Sequence, residues 1–215
     1  MFNKYNPAIN AYMQENHEQM CDGIIAVVLT IKMPHWMWPK MMDDYRANRG
    51  NSQYLFGFKR KTYEYLRDYG AELYDDLMEL WMTPKKELGG TVQTKDGAMM
   101  MRLLDVPGLG LAKAGFVMQM MFGRVGCMDV HNVRRLYKVD IKDVTIQKGV
   151  KSDSKKFEKI MNYVNLFTGN RTTQKIWDSW CEQVMHNKCN RGRFASADDV
   201  SRLHLTVLTG EIHGI

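Results

Sequence analysis

Two stretches of this chain combine residue types that could do chemistry: Leu104-Asp-Val-Pro-Gly-Leu-Gly-Leu-Ala-Lys-Ala-Gly115 and Asp129-Val-His-Asn132. Pro107 cannot continue a preceding helix, because it lacks an N–H and its ring clashes with the turn before it. Gly108 and Gly110 have no Cβ, so they can take the positive φ of a tight hairpin and let another backbone come close. The amides that follow open a helix whose first N–H groups have no intrahelical partner, a ready site for an anion. A DNA phosphate fits there without sequence readout. Pro107, Gly108, Leu109, Gly110, Ala112 and Lys113 are the expected contacts. Asp129 follows nineteen residues after Gly110. The apolar helix between them would cross the core and return the carboxylate to the hairpin, facing the sugar next to the gripped phosphate. A plainer duty for Asp129 is to cap the helix that follows, and the two roles can coexist.

Other candidates are weaker. His131 and Asn132 follow the acid and could orient or touch the DNA backbone, and Arg134 and Arg135 could do the same, although helical arginines are more often solvated. Trp36 and Trp38 beside His35 could wall a base pocket, since aromatics stack on bases; a buried core role suits them better. Lys188 to Arg193 is a basic loop, a candidate phosphate-facing edge. Cys181, His186, Cys189 and His204 do not have the spacing of a metal site, and the four cysteines form no CxxC pair.

The elements that must position these residues read as helices. Leu111 to Phe122 is apolar almost all round, which predicts a central buried helix, with Gly123 placed to end it. Lys59 to Trp81 carries Tyr63, Leu66, Leu73, Tyr74, Leu77, Leu80 and Trp81 at three- and four-residue steps, with Gly70 a candidate break. Residues 83–97 read as a loop, leading to a short helix from Ala98 to Leu104. Residues 8–20 suggest a short helix, and 24–31 fit a buried helix or a strand equally. His35 to Pro39 is a break, and a helix resumes from Met41 to Asn48. Residues 138–154 are a charged connection. Phe157 to Phe167 and Ile176 to Val184 are amphipathic. Ser196 and Asp199 resemble a capping box before Val200 to Leu208. The fold class is all-α.

With 215 residues and a net charge of +6, the chain can bury a sizeable core and suits nucleic acid or another acidic partner. Ile24 to Leu29, the longest apolar run, is too short to cross a bilayer, and no secretory leader precedes it. The expectation is a soluble cytoplasmic monomer, in the host cytoplasm if viral, with no membrane partner. Eighteen methionines sit mostly at core-like positions, where a thioether fills irregular gaps.

The order of hairpin, apolar helix and acid resembles the helix-hairpin-helix (HhH-GPD) superfamily of DNA glycosylases, the endonuclease III-like enzymes. The resemblance rests on Val106-Pro-Gly-Leu-Gly110, the helix Ala114 to Phe122 ended by Gly123, and Met128-Asp-Val-His131. It is strongest over residues 100–137 and extends weakly from Gly57-Phe-Lys-Arg-Lys61 to Asn187. It implies two helical subdomains flanking a DNA-binding cleft: 24–128, a six-helix-type unit ending in the helix-hairpin-helix, and 1–23 with 129–215. It implies double-stranded DNA as partner, a flipped nucleotide, and Asp129 as the essential carboxylate. It also implies a monovalent cation, K or Na, on the main-chain carbonyls of Leu104, Val106 and Leu109. Cleaving an N-glycosidic bond builds positive charge on the sugar, which a fixed carboxylate can stabilise while orienting water.

Two departures narrow the expectation. Relatives that also cut the strand have a lysine two residues after the second hairpin glycine, where this chain has Ala112. Lys113 lies one step on, about 100° round the helix, and is expected to point elsewhere; a phosphate contact or solvated lysine is preferred to a displaced nucleophile, and Lys113 stands beside Asp129 as a second catalytic candidate. The four-cysteine loop is missing, so no iron–sulfur cluster and no other cofactor is expected. The expected function is base excision in DNA repair: a monofunctional DNA glycosylase, a hydrolase without AP-lyase activity. One alternative is a glycosylase-fold enzyme that modifies the flipped base, like the amino-acid:DNA transferases of bacterial viruses with hypermodified thymines. Another is a non-catalytic DNA-binding module. In every case phosphate contacts should dominate affinity. The logarithm of the DNA association constant should fall linearly with the logarithm of salt concentration in a filter-binding titration, and salt-insensitive binding would contradict a nucleic-acid partner.

Overall fold

The computed structural model describes residues 7–49, 51–84, 86–88, 91–129, 132–133, 140–146, 150, 152–167 and 173–210. All regular structure among the described residues is helical: α1 (Pro7–Glu15), α2 (His17–Leu29), α3 (Trp38–Ala47), α4 (Phe58–Met82), α5 (Val92–Leu103), α6 (Leu111–Phe122), α7 (Asp153–Asn165), α8 (Thr173–His186) and α9 (Ala197–Thr209), with four short 3-10 turns between them. None of these helices is long and apolar enough to cross a membrane.

Helix α6 is the axis of the core. Ten of its twelve residues are buried, and it packs against α1, α2 and α5. Asn10 of α1 donates to the Met120 carbonyl at 2.9 Å, and Gln14 donates to that of Met121. Gln119, buried within α6, donates to the Thr173 carbonyl at the start of α8, 2.9 Å away. The polar groups of this apolar helix therefore tie it to both ends of the chain. Helix α1 touches α9 as well as α2 and α6.

Several segments differ from the sequence expectation. Residues 24–29 are the second half of α2 and all six are buried, and residues 30–31 lie in the turn that follows; an all-buried helix segment has the same apolar run as a central strand. Residues 8–20 contain two helices, separated at Asn16, whose side chain accepts from the Gln19 amide at 3.0 Å. Helix α5 starts at Val92, inside the expected loop, with Thr91 as its cap. Its charged residues hid it. Lys95 turns inward to the carbonyls of Trp81 and Thr83, and Asp96 pairs with Arg124 at 2.7 Å. Residues 92–97 thus have a buried polar face that hydrophobic patterning does not register. Residues 141–144 of the charged connection form a 3-10 turn. The capping box at Ser196 and Asp199 is present.

Gly70 does not break α4. A side chain there would strike the Cys21 sulfur, just as one at Gly23 would strike the Met13 thioether and one at Gly97 that of Met161. These glycines are notches filled by sulfur. Gly115 of α6 is tighter still, since a Cβ would collide with the Gly126 carbonyl oxygen and lie 2.7 Å from the Tyr163 hydroxyl. Backbone cannot yield as a flexible side chain can, and overpacking of this kind lowers stability by about 1–3 kcal/mol. Gly115→Ala should lower the unfolding free energy by that amount, read as a lower urea midpoint at unchanged m-value. A midpoint equal to wild type would show that the α6–Gly126 contact is loose.

Candidate active site

The hairpin between α5 and α6 is built against the first turn of α4. Gly108 has φ +90°, and a side chain on it would lie 2.8 Å from the Phe58 ring. The Thr62 hydroxyl lies within hydrogen-bonding distance of the carbonyls of Pro107 and Phe58. The Leu109 amide donates to the Val106 carbonyl at 3.1 Å, and the Leu109 side chain is buried. Gly110 is the N-cap of α6, and no side chain caps the helix there. The first amides of α6 thus meet the surface at an exposed glycine, a geometry that suits an anion. The Val106 carbonyl spends one lone pair on Leu109 and retains a second that a monovalent cation could use.

Past α6 the chain turns through Gly123 in the left-handed region, φ +63°, and Val125 at φ +58°. A β-branched residue there is strained, and such strain persists only where surrounding contacts fix the backbone. They do so here. The buried Tyr163 hydroxyl donates to the Gly126 carbonyl at 2.6 Å and accepts from the Met128 amide at 2.8 Å. Asn132 donates to the Cys127 carbonyl at 2.7 Å and lies 3.3 Å from the Ser179 hydroxyl. These bonds aim Asp129, which is half-buried. One of its carboxylate oxygens accepts the Asn132 amide at 2.9 Å, and its carbonyl accepts that of Val133 at 2.9 Å. Asp129 is therefore a helix cap as well as a cleft residue.

Two cavities meet at this point. One, of about 560 Å³, is walled by the α2–α3 loop (Thr30 to His35), by Trp180, Gln183 and Val184 of α8, and by Asn187, Cys189 and Asn190 after it. The other, of about 500 Å³, lies along the hairpin from Leu109 to Ala112, with Leu104, Met128, Val144 and Ile146 supplying an apolar wall. Their linings share two residues, Lys113 and Asp129.

Lys113 corrects the sequence expectation that it points elsewhere. Its ammonium lies 3.5 Å from the Thr30 hydroxyl oxygen and 5.5 Å from the centroid of the Phe116 ring. Side chains in the first turn of a helix lean back towards its N-terminus, so Ala112 and Lys113 both reach the cleft although they differ by about 100° in azimuth. Asn132, expected at the DNA backbone, is a positioning residue instead: it is 1% exposed, with both ends of its amide engaged inside the protein. His131, Arg134 and Arg135 lie outside the described residues.

Behind the larger cavity, His35 and His204 stack with ring centroids 5.1 Å apart, enclosed by Trp38, Phe116, Trp177 and Trp180. His35 Nε2 and both ring nitrogens of His204 are buried without a hydrogen-bond partner among the described residues. Burial, reinforced by the Lys113 charge, lowers His35 to about 3 and holds His204 well below its ordinary value. Both imidazoles are neutral at physiological pH. Trp38 is a core residue whose indole donates to the Ala26 carbonyl at 2.9 Å, whereas Trp36 is exposed, with Arg193 4.9 Å above its ring. The walls from Thr30, Gln183 and Asn187 left no local signal in the sequence, because they converge from segments some 150 residues apart. Burial likewise drives the Cys127 thiol up to about 12, which removes it as a nucleophile. No group of His, Cys, Asp and Glu able to hold a metal occurs among the described residues, the set of Cys181, His186, Cys189 and His204 included.

The buried histidines set a pH dependence of stability. Unfolded histidines take up a proton near pH 6.5, whereas these two resist it until far lower, so the unfolded state binds more protons in between. Stability is complete above about pH 6.5 and falls as pH drops towards 3, by up to about 1.4 kcal/mol per pH unit for each histidine. The double variant His35→Phe/His204→Phe should flatten the urea midpoint between about pH 6 and 4. A slope equal to wild type would contradict the neutral pair.

The chain matches no protein-family model, no curated protein and no solved structure, so the chemistry of the site rests on the geometry of its own residues.

Proposed function

We propose that the chain is a monofunctional DNA N-glycosylase of helix-hairpin-helix architecture, which draws one nucleotide out of double-stranded DNA and hydrolyses its glycosidic bond at Asp129. The observation that carries this reading is the placement of Asp129 between two cavities, one running along the uncapped start of α6. A strand phosphate on the α6 amides sets its sugar beside Asp129. The extruded base then occupies the larger cavity against Trp180 and His35. Extrusion forfeits a few kcal/mol of stacking, which an aromatic wall recovers in part. Cleavage moves positive charge onto the sugar, and the carboxylate meets that charge and aligns the attacking water. The hairpin carbonyls of Leu104, Val106 and Leu109 are the place for a K or Na ion. DNA repair follows as the setting if the excised base is a damaged one.

The presence of a second cavity favours one competing reading: a co-substrate could occupy it while the base is modified with its glycosidic bond intact. The two separate in one assay. Duplexes carrying single modified bases are incubated with the protein, heated in alkali to reveal abasic sites, and weighed by mass spectrometry. Abasic sites support excision; a mass gain on an intact base supports modification. Asp129→Asn should lower single-turnover excision at least about 10²-fold, the scale of losing one fixed electrostatic partner, while DNA affinity stays within a few-fold of wild type. An Asp129→Asn variant that turns over normally would rule out the carboxylate.

A further inference from the structure

Lys113 is a charged group for which hydrolysis at Asp129 has so far required no task. It lies on the boundary of both cavities, and no described carboxylate approaches its ammonium within ion-pair distance; its contacts are the Thr30 hydroxyl and the Phe116 ring. The titratable groups behind it, His35 and His204, are buried and carry unpartnered nitrogens. The half-buried stem of Lys113 thus delivers one cation to the mouth of the cavity assigned to the base, beside the carboxylate assigned to the sugar.

We infer that Lys113 is a catalytic residue that stabilises the departing base, so that Lys113 and Asp129 act on opposite ends of the breaking bond. This inference rests on the excision reading. When the C1′–N bond breaks, its electron pair leaves with the base. Lys113 donates an N–H, and finally a proton, to the base oxygen or nitrogen that takes up the negative charge. The sugar becomes an oxocarbenium ion facing Asp129. Water then forms a bond to C1′, and its proton passes to the Asp129 carboxylate and on to solvent, while Lys113 regains a proton from solvent. The products are a neutral base and an abasic sugar. No bond forms between Lys113 and DNA. A donor is useful only if the base leaves as an anion; a base that is cationic in the substrate leaves neutral and needs none.

That asymmetry supplies the test. Single-turnover excision is measured for wild type, Lys113→Met and Lys113→Arg on duplexes with neutral leaving bases (uracil, 5-hydroxymethyluracil and their more acidic 5-halogenated counterparts) and with cationic 7-methylguanine. Lys113→Met should lose about 10²-fold or more on the least acidic neutral base, progressively less as the base becomes more acidic, and less than about five-fold on 7-methylguanine, as expected for loss of a general acid. Lys113→Arg should restore part of the loss. If wild type cuts the neutral class alone, the acidity trend among those bases decides; if it cuts 7-methylguanine alone, no anionic base leaves and the inference is overturned. Losses by Lys113→Met that ignore leaving-group acidity, or no loss at all, would overturn the inference while leaving the Asp129 reading intact. A borohydride-trapped adduct at Lys113 would overturn it in favour of a nucleophilic amine. A wild-type chain that excises none of these bases, yet adds mass to one of them, would remove the excision reading and this inference together.

Discussion

A single phenol holds the site in register. The Tyr163 hydroxyl, buried in α7, accepts a hydrogen bond from the Met128 amide and donates one to the Gly126 carbonyl. Burial pushes its pKa well above the ordinary value, so it stays protonated and keeps both bonds. Those two bonds pin residues 126–128, next to Val125 at its positive φ, where Gly126 lies against Gly115 of α6. One end of α6 presents its first amides; the segment past its other end presents Asp129. The distance between an anion on the helix and the carboxylate is therefore set by a rigid path of one helix, one turn and one tyrosine.

The charges buried elsewhere follow the same economy. Asp22 sits under Tyr45 and Arg49 and bonds to both; burial raises its carboxyl, and Arg49 opposes that rise. Arg102 joins α5 to α4 through Asp76 at 2.6 Å and Glu72 at 3.1 Å. Arg46 of α3 donates to the carbonyls of Val207 and Leu208 at 2.6 and 2.8 Å, satisfying groups that the end of α9 leaves open. Each of these side chains has an ionic or carbonyl partner inside the protein, whereas the Lys113 ammonium has only the Thr30 hydroxyl at 3.5 Å and the Phe116 ring among the described residues.

The hairpin, α6 and the cap at Asp129 were legible in the sequence because their signals are local. Pro107 stops a helix, Gly108 permits a positive φ, and a twelve-residue run between Gly110 and Gly123 that is polar only at Lys113 and Gln119 leaves few alternatives to a buried helix. The beginning of α5 was hidden because Lys95 and Asp96 face inward, paired with a carbonyl cage and with Arg124. The orientation of Lys113 was missed because azimuth round a helix axis is a poor guide in a first turn, where side chains lean past the helix end. The larger cavity was not legible at all. Thr30, His35 and Gln183 meet through tertiary packing, and no spacing in the sequence records that meeting. Asn132 shows the reverse error: a polar residue beside a carboxylate suggested contact with a ligand, and the structure gives it to the protein's own backbone.

The sulfur-filled notches bear on the chemical durability of the fold. Met13 occupies the space at Gly23, Met161 that at Gly97, and Cys21 that at Gly70, so three helix crossings depend on soft, unbranched atoms where most cores use branched hydrocarbon. Thioethers accommodate small helix shifts, but each is a site at which one added oxygen turns an apolar filler into a polar, larger and chiral one. Oxidation would reach such atoms whenever local opening exposed them, and the notch could not close again over a sulfoxide. The exposed Met82 and Cys189 would meet an oxidant first; the buried notches are where a later oxidation would cost the fold most.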